Sequence, residues 1–351
     1  MPRPSTLLPT TVVGSYSVPE WLERLKDDFY QRRISSEYLR EIHEVAIKAA
    51  VKDQEGAGVD ILSDGELRRD NDIDYLLARI PGVEIVGPVK QSYFDYFTAR
   101  VAHPLPDPGS MPLGVADDFL YVREQTDHAV KVSLTGPYSL SRRIENEAYR
   151  DRSDLVFALA ECLNGEAQRL ADAGAEILQL DEPFLAGYPS DVHLAIEAVN
   201  VVTKDVPVDW SLHVCYGNRY ARPSWEGHYD FLFPSVLDAH VNELMLECAR
   251  KGYDDLQLFE RYDWDRRLGL GVIDVKTTRV ETAAEVADRI QRGLTVMPAS
   301  RLVVSPDCGL RHVPVATARE KLRAMVQGAA SVRSQITDGN AQQTDAERVG
   351  A

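Results

Sequence analysis

Short runs rich in Val, Ile and Leu alternate along this chain with longer amphipathic stretches, a pattern that predicts strands crossing over through helices into a parallel sheet. Eight runs qualify as strands: TVVGSY (11–16), VDILSDGE (59–66), AVKVSLTGP (129–137), EILQLDEP (176–183), VDWSLHVCYG (208–217), ELMLECA (243–249), LGLGVIDVK (268–276) and RLVVSPDCG (301–309). Helix punctuation lies between them. SSEYLREIHEVAIKAAVKDQEGAG opens on a Ser cap and closes at Gly, DLVFALAECLNGEAQRLADAGA closes in the same way, and TAAEVADRIQRGLTVMP stops at Pro. Eight such units predict an α/β fold, a (β/α)8 TIM barrel in one domain over residues 1–333. A doubly wound open sheet is the structural alternative, but VVGSYSVPEW after the first strand lacks the G-x-G-x-x-G turn. Residues 67–127 are too long for a plain crossover and carry SYFDYF and PLPDPGSMP, so an insertion over the barrel mouth is expected after the second strand. Residues 334–351 lack apolar periodicity and are expected to form a flexible tail.

Composition narrows the classes of function. With 39 Lys and Arg against 55 Asp and Glu, the chain of 351 residues carries a formal charge of −16, which argues against electrostatic binding to nucleic acid. The N-terminal MPRPSTLLPTTVVGSY has no apolar core of a secretory signal, and no stretch resembles a membrane span, so a cytoplasmic protein without a membrane partner is expected. Assembly into a homo-oligomer is left open. Four cysteines, Cys162, Cys215, Cys248 and Cys308, are too few for a disulfide scaffold and point to metal binding or catalysis instead.

His213 and Cys215 stand two apart on a predicted strand, so their side chains share one face, expected to be the barrel lumen. A His-x-Cys pair alone is also compatible with a packed core. Glu247 and Cys308, however, fall near the C-terminal ends of two further predicted strands, the end at which barrel enzymes build their sites. Two thiolates, an imidazole and a carboxylate suit tetrahedral Zn2+ and not Mg2+ or Ca2+. Zinc coordination removes the proton from a thiol and presents a sulfur nucleophile.

At these residues the sequence resembles the catalytic half of the cobalamin-independent methionine synthase family, from TTVVGSY through SDGELRRDN, LQLDEP, LHVCYGN and LMLECA to SPDCGL. The resemblance runs to about residue 330. It implies a barrel whose zinc is held by His213, Cys215, Glu247 and Cys308, with Glu66 and Asp181 gripping the substrate ammonium and Gly14 and Ser15 supplying polar contacts. Asp274 and Lys276, which share a predicted strand face, fall where the family has an Asp-x-His motif; the resemblance implies that Lys276 replaces its proton-transfer group, and a structural ion pair is the plainer reading. The implied reaction is zinc-dependent methyl transfer to homocysteine, giving methionine, from a folate or a methylcorrinoid protein. The family's second barrel, which helps to hold folate, has no counterpart here, and Arg142 and Arg143 stand where full-length members place an indole. A relative with the same zinc pattern, epoxyalkane:coenzyme M transferase, uses a thiolate to open an epoxide; Arg142, Arg143 and Arg219 could then meet the sulfonate of coenzyme M. A non-catalytic, structural-zinc binding protein is the third reading.

Other candidates have plainer readings beside the functional ones. Cys248 should point away from Glu247 into the outer core, and Cys162 should pack inside a helix. His228 and His312 are expected in loops near the site, where His312 could support a metal ligand. Asn218 and Arg219 could bind an anion, and Trp225 with Tyr229 could stack on a ligand, or all four could belong to a surface loop.

Overall fold

The computed structural model describes residues 3–87, 90, 92–107 and 111–349, the last of them, from 339 onward, by their helical backbone alone. Among these described residues ten strands form: β1 (Ile61–Leu62), β2 (Glu84–Val86), β3 (Thr98–Val101), β4 (Ala129–Thr135), β5 (Ile144–Asn146), β6 (Ile177–Asp181), β7 (Asp209–Val214), β8 (Glu243–Leu246), β9 (Arg267–Ile273) and β10 (Leu302–Pro306). Seven of them make one parallel sheet in the order β1-β4-β6-β7-β8-β9-β10. The first expected strand is reduced to two bridge residues, yet it closes the ring: Thr10 pairs with Val304 of β10 and Thr11 with Ile61 of β1, both in parallel. The fold is thus the TIM-like barrel that the alternation predicts, with all eight strand positions occupied in order.

Period-two alternation sorts the strand side chains. Leu178, Leu180, Leu212, Val214, Leu244 and Leu246 pack in the main core, while residues in alternate positions of the same strands, Gln179, Ser211, His213 and Glu243, carry polar groups buried within the barrel. Those groups satisfy one another: Gln179 donates to Asp181 at 2.6 Å, Ser211 to Glu243 at 3.1 Å and Ser133 to Glu66 at 2.5 Å. At the N-terminal ends, Arg3 pairs with Asp209 and Glu243, and Arg267 pairs with the same two carboxylates, so that four charges close the ring.

The helices follow their caps. Ser35 accepts from the Tyr38 amide ahead of helix Ser36–Ala57, which ends at Gly58 with φ 84°, the left-handed conformation that glycine adopts without a Cβ penalty. Within 67–127, β2 and β3 form an antiparallel hairpin that β5 extends in parallel. The later part of that segment is not insertion: helix Val115–Arg123 buries Val115, Phe119 and Val122 and packs between helices Ser36–Ala57 and Arg152–Asp172 in the outer ring. Residues 108–110 of the Pro-rich stretch lie outside the described residues. The final helix spans Val315–Val349 and takes in most of the segment expected as a tail. Arg333 ties it to the Leu8 carbonyl and to Asp60, and Ile336 packs on the core. Farther on, Ala, Gln, Glu and Arg sustain helix by propensity, which an apolar-periodicity criterion does not register. Among the described residues no helix is long and apolar enough to cross a membrane.

Lys321 of the final helix is fully buried and holds the loop after β9, donating to the Asp274 carbonyl and the Glu281 carboxylate, both at 2.9 Å. Removing one partner of a buried pair leaves the other charge uncompensated. Lys321→Met is expected to lower the unfolding free energy by about 3–5 kcal/mol, read as a downward shift of the urea midpoint.

Candidate active site

The C-terminal ends of the strands gather the chemistry. Register places Asp181 of β6 opposite His213 of β7, and His213 opposite Met245 of β8. Cys215 follows β7 by one residue, and Cys308 follows β10 by two. The ligand atoms of His213, Cys215 and Cys308 lie within 4.8 Å of one another, and the two sulfurs are 3.5 Å apart. His213 Nδ1 faces the Met245 carbonyl at 3.3 Å, which assigns that nitrogen the hydrogen and leaves Nε2 as the acceptor. Nε2 is buried and has no partner among the described residues. A bare lone pair beside two thiols is a donor set that a zinc ion fits, since it accepts imidazole and sulfur together and satisfies the orphaned nitrogen. The neighbouring Cys215 sulfur and burial hold the Cys308 thiol well above its usual pKa. Burial alone would lower the His213 pKa, but the Cys308 sulfur and the Asp181 carboxylate outweigh it and raise it.

Glu247 stands outside this group. It is the first residue after β8, and its carboxylate accepts from Arg250 Nε at 2.6 Å and from Lys276 Nζ at 2.9 Å. The Tyr216 amide, one residue beyond Cys215, donates to the same carboxylate at 3.2 Å. Lys276 is therefore committed to Glu247. The expectation that Asp274 and Lys276 share a strand face is corrected, because β9 ends at Ile273 and Asp274 instead accepts from the Lys276 amide in a tight turn, at 2.8 Å. Asp274 Oδ1 and Lys276 Nζ thus have separate tasks.

A cavity of about 270 Å³ opens over the thiols and is lined also by Ser15, Glu66 and Asp181. Glu66 sits at φ 54°, strained for a residue with a Cβ, and its carboxylate accepts from Ser133. Burial pushes Asp181 up to about 6. Gly14 does not line the cavity; its place in the site is spatial, since a Cβ there would stand 2.3 Å from Glu66 Oε1. Gly309 plays the same part for Ser15, whose Oγ lies 1.9 Å from where its Cβ would be.

The secondary candidates divide. His312 lines the cavity edge-on to Phe94 with ring centroids 5.0 Å apart, and burial pushes it down to about 4, which keeps it neutral near pH 7. Asn218 and Arg219 line the cavity too, as does Trp225, packed on Phe184. Tyr229 is a buried strut and no stacking surface: its hydroxyl donates to the Val214 carbonyl at 2.8 Å and accepts from the Glu247 amide at 3.0 Å. His228 is exposed and paired with Asp255. Cys248 and Cys162 belong to the core, as expected. Arg143 lines the cavity, whereas Arg142 lies over Tyr188. Sequence reasoning missed Arg69, Asp72, Tyr96 and Arg311 on the cavity wall, as well as Asp307, whose carboxylate accepts from the amides of Cys248, Ala249 and Arg250. The acidic residue directly before Cys308, Arg69 in SDGELRRDN and Arg311 in GLRHVP were the available signals.

Fold and site together define a barrel protein with a thiol-rich, metal-capable centre at the C-terminal mouth. Residues 8–331 match the family described as cobalamin-independent synthase, catalytic domain. The chain is 35% identical over 336 residues to a methionine synthase of Sulfurisphaera tokodaii, covering 94% of each, and 35% identical over 337 residues to that of Saccharolobus solfataricus, covering 94% of this chain and 96% of the relative. It is similar to the solved B12-independent methionine synthase from Shewanella sp. W3-18-1, in complex with selenomethionine, at TM-score 0.82 and 26% identity, covering 95% of this chain and 100% of that one. A second solved structure, from Listeria monocytogenes, shares the fold at TM-score 0.73 and 22% identity, covering 94% of this chain and 99% of that one. The chain belongs to the cobalamin-independent methionine synthase family.

Crowding at Gly14 gives a direct check on the site. Gly14→Ala is expected to displace Glu66 and to destabilise the protein by about 1–3 kcal/mol, the range for overpacking, measured by chemical denaturation beside Gly56→Ala, where a Cβ meets nothing within 4 Å.

Proposed function

We propose that this chain transfers a methyl group to the thiol of homocysteine, giving methionine, with a zinc ion as its cofactor. The observation that carries the reading is the buried His213 Nε2, unpartnered among the described residues, beside two thiols 3.5 Å apart, in a chain that matches methionine synthases over 94% of its length. His213, Cys215 and Cys308 would hold the ion, and Glu247 would complete the set by giving up a present partner, Lys276 or Arg250. Zinc bound there would supply Lewis acidity that lowers the pKa of the substrate thiol and favours its nucleophilic thiolate at neutral pH.

The chain's own groups do the rest. Glu66 and Asp181 present carboxylates to the cavity and bind the homocysteine ammonium, which selects an amino-acid thiol over a plain alkyl thiol. Ser15 offers a hydroxyl on the same wall. Methyl transfer forms one sulfur–carbon bond and breaks the donor–methyl bond, whose electron pair stays with the donor. Lys276 pairs with Glu247 and is itself kept protonated, because the Cys308 sulfur and the Glu247 carboxylate overcome its burial. Its position recommends it as an electrostatic partner of the centre, and Asp274 shapes the turn that presents it.

Two tests follow from this reading. Adding homocysteine to the zinc-loaded protein should release about one proton, and Cys308→Ala should abolish that release and the bound zinc while leaving the far-ultraviolet circular dichroism intact; unfolding of this variant would favour the structural-zinc reading. Glu66→Ala and Asp181→Ala should each weaken homocysteine binding by about tenfold or more, the cost of a lost charge-assisted contact, measured by calorimetry. Unchanged affinity in both would remove homocysteine as the thiol.

A further inference from the structure

The charged groups that line the cavity nearly all have a polar partner within the chain. Glu66 accepts from Ser133, Asp72 from the Tyr96 hydroxyl at 2.9 Å, and Asp181 from Gln179. Arg69 donates to the Ser133 carbonyl at 2.6 Å, and Arg311 spends its guanidinium on the carbonyls of Arg69, Asp70 and Glu66. Arg143 and Arg219 are different. Both guanidinium groups lie over the ring of Tyr96, at 4.4 and 4.7 Å from its centroid. Among the described residues neither is paired with a carboxylate, and Arg143 Nε is buried without any partner. Tyr96 is itself pinned by Asp72, so two cations share one fixed aromatic platform. In a chain of formal charge −16 this is a local reversal of sign inside a concave site.

We propose that Arg143 and Arg219 bind an anionic oxygen group, carboxylate or phosphate, carried by the methyl donor; the proposal rests on the methyl-transfer reading. The thiol substrate does not need them. Its carboxylate is on the same carbon as its ammonium group and so stays at the Glu66 wall, where Arg69 and Ser15 stand. Arg143 follows the short helix Pro137–Ser141, Arg219 lies in the loop after β7, and Tyr96 comes from the insertion, so the three form a separate wall built from loops. Arginine is suited to the task because its planar fork can pair two oxygens of one group.

The test compares the wild-type, zinc-loaded protein with Arg143→Gln, Arg219→Gln and the double variant, with Arg143→Lys and Arg219→Lys as conservative controls. The probes are methyltetrahydrofolate with one or three glutamyl residues, methylcobalamin and inorganic phosphate. Phosphate should compete with the donor and not with homocysteine. Each Gln variant should raise the donor KM by about tenfold or more with kcat little changed, the Lys variants should recover part of the loss, and the homocysteine dissociation constant should stay within about twofold of wild type. A larger loss with the glutamyl donors identifies carboxylate as the bound group, and one with methylcobalamin identifies phosphate. The proposal is overturned if the double variant keeps both donor KM values and its phosphate inhibition. It is overturned equally if the arginines govern the affinity of homocysteine or of 2-mercaptoethanesulfonate, which would assign them to the thiol. Failure of wild-type protein to bind homocysteine would sink the methyl-transfer reading instead, and loss of phosphate binding in the double variant, read by calorimetry, would still report on the anion subsite.

Discussion

The parallel register that sets Asp181 opposite His213, and His213 opposite Met245, is the constraint from which the mouth of the barrel is built. Because side chains alternate with period two, a slip of one residue in β7 would turn His213 and Cys215 outward into the helical layer. Register also sets the tautomer: the Met245 carbonyl engages His213 Nδ1 and leaves Nε2 free toward the sulfurs. Closure of the ring by Thr10 and Thr11 then brings β10, and with it Cys308, to the same end, where it meets Cys215 across the lumen.

A second layer of contacts holds the loops around those strand ends. Asp307 collects three consecutive amides after β8 and so places Arg250, which grips Glu247 from one side. Lys276 grips it from the other, on a turn shaped by Asp274; Glu281, ahead of the helix Ala283–Leu294, accepts from the Asp274 amide, and Lys321 anchors both from the final helix. Glu247 is thus balanced between two cations, a few ångströms of chain away from Cys215 through the Tyr216 amide. Removing either cation would leave this buried carboxylate short of a partner, and burial of an unpaired charge costs several kcal/mol.

The cavity has two chemically different walls. The end of β6 and the turn after β1 supply Asp181 and Glu66 near the thiols, groups suited to an ammonium, while longer loops and the insertion supply Tyr96, Arg143 and Arg219, groups suited to an anion. Division of labour between strand ends and loops is the general habit of barrels, in which a rigid ring positions chemistry and variable loops choose partners.

Much of this was legible in the chain itself. Alternation of apolar and polar residues determined eight strands in order, Ser35 and Gly58 bounded a helix, and His213 with Cys215 had to share a face once their strand was granted. Six ordered motifs carried the family. Local pattern could not say where strands stop, so Asp274 was read into β9 although the strand ends at Ile273. Nor could it show that Glu247 is shared between Lys276 and Arg250, that Tyr229 is a buried strut, or that Arg143 and Arg219 meet on Tyr96. Those contacts join residues far apart in sequence through the paths of loops, and no periodicity encodes such a path. Side-chain period and capping are properties of a few neighbouring residues, whereas the partner of a buried charge is settled only when the whole barrel has closed around it.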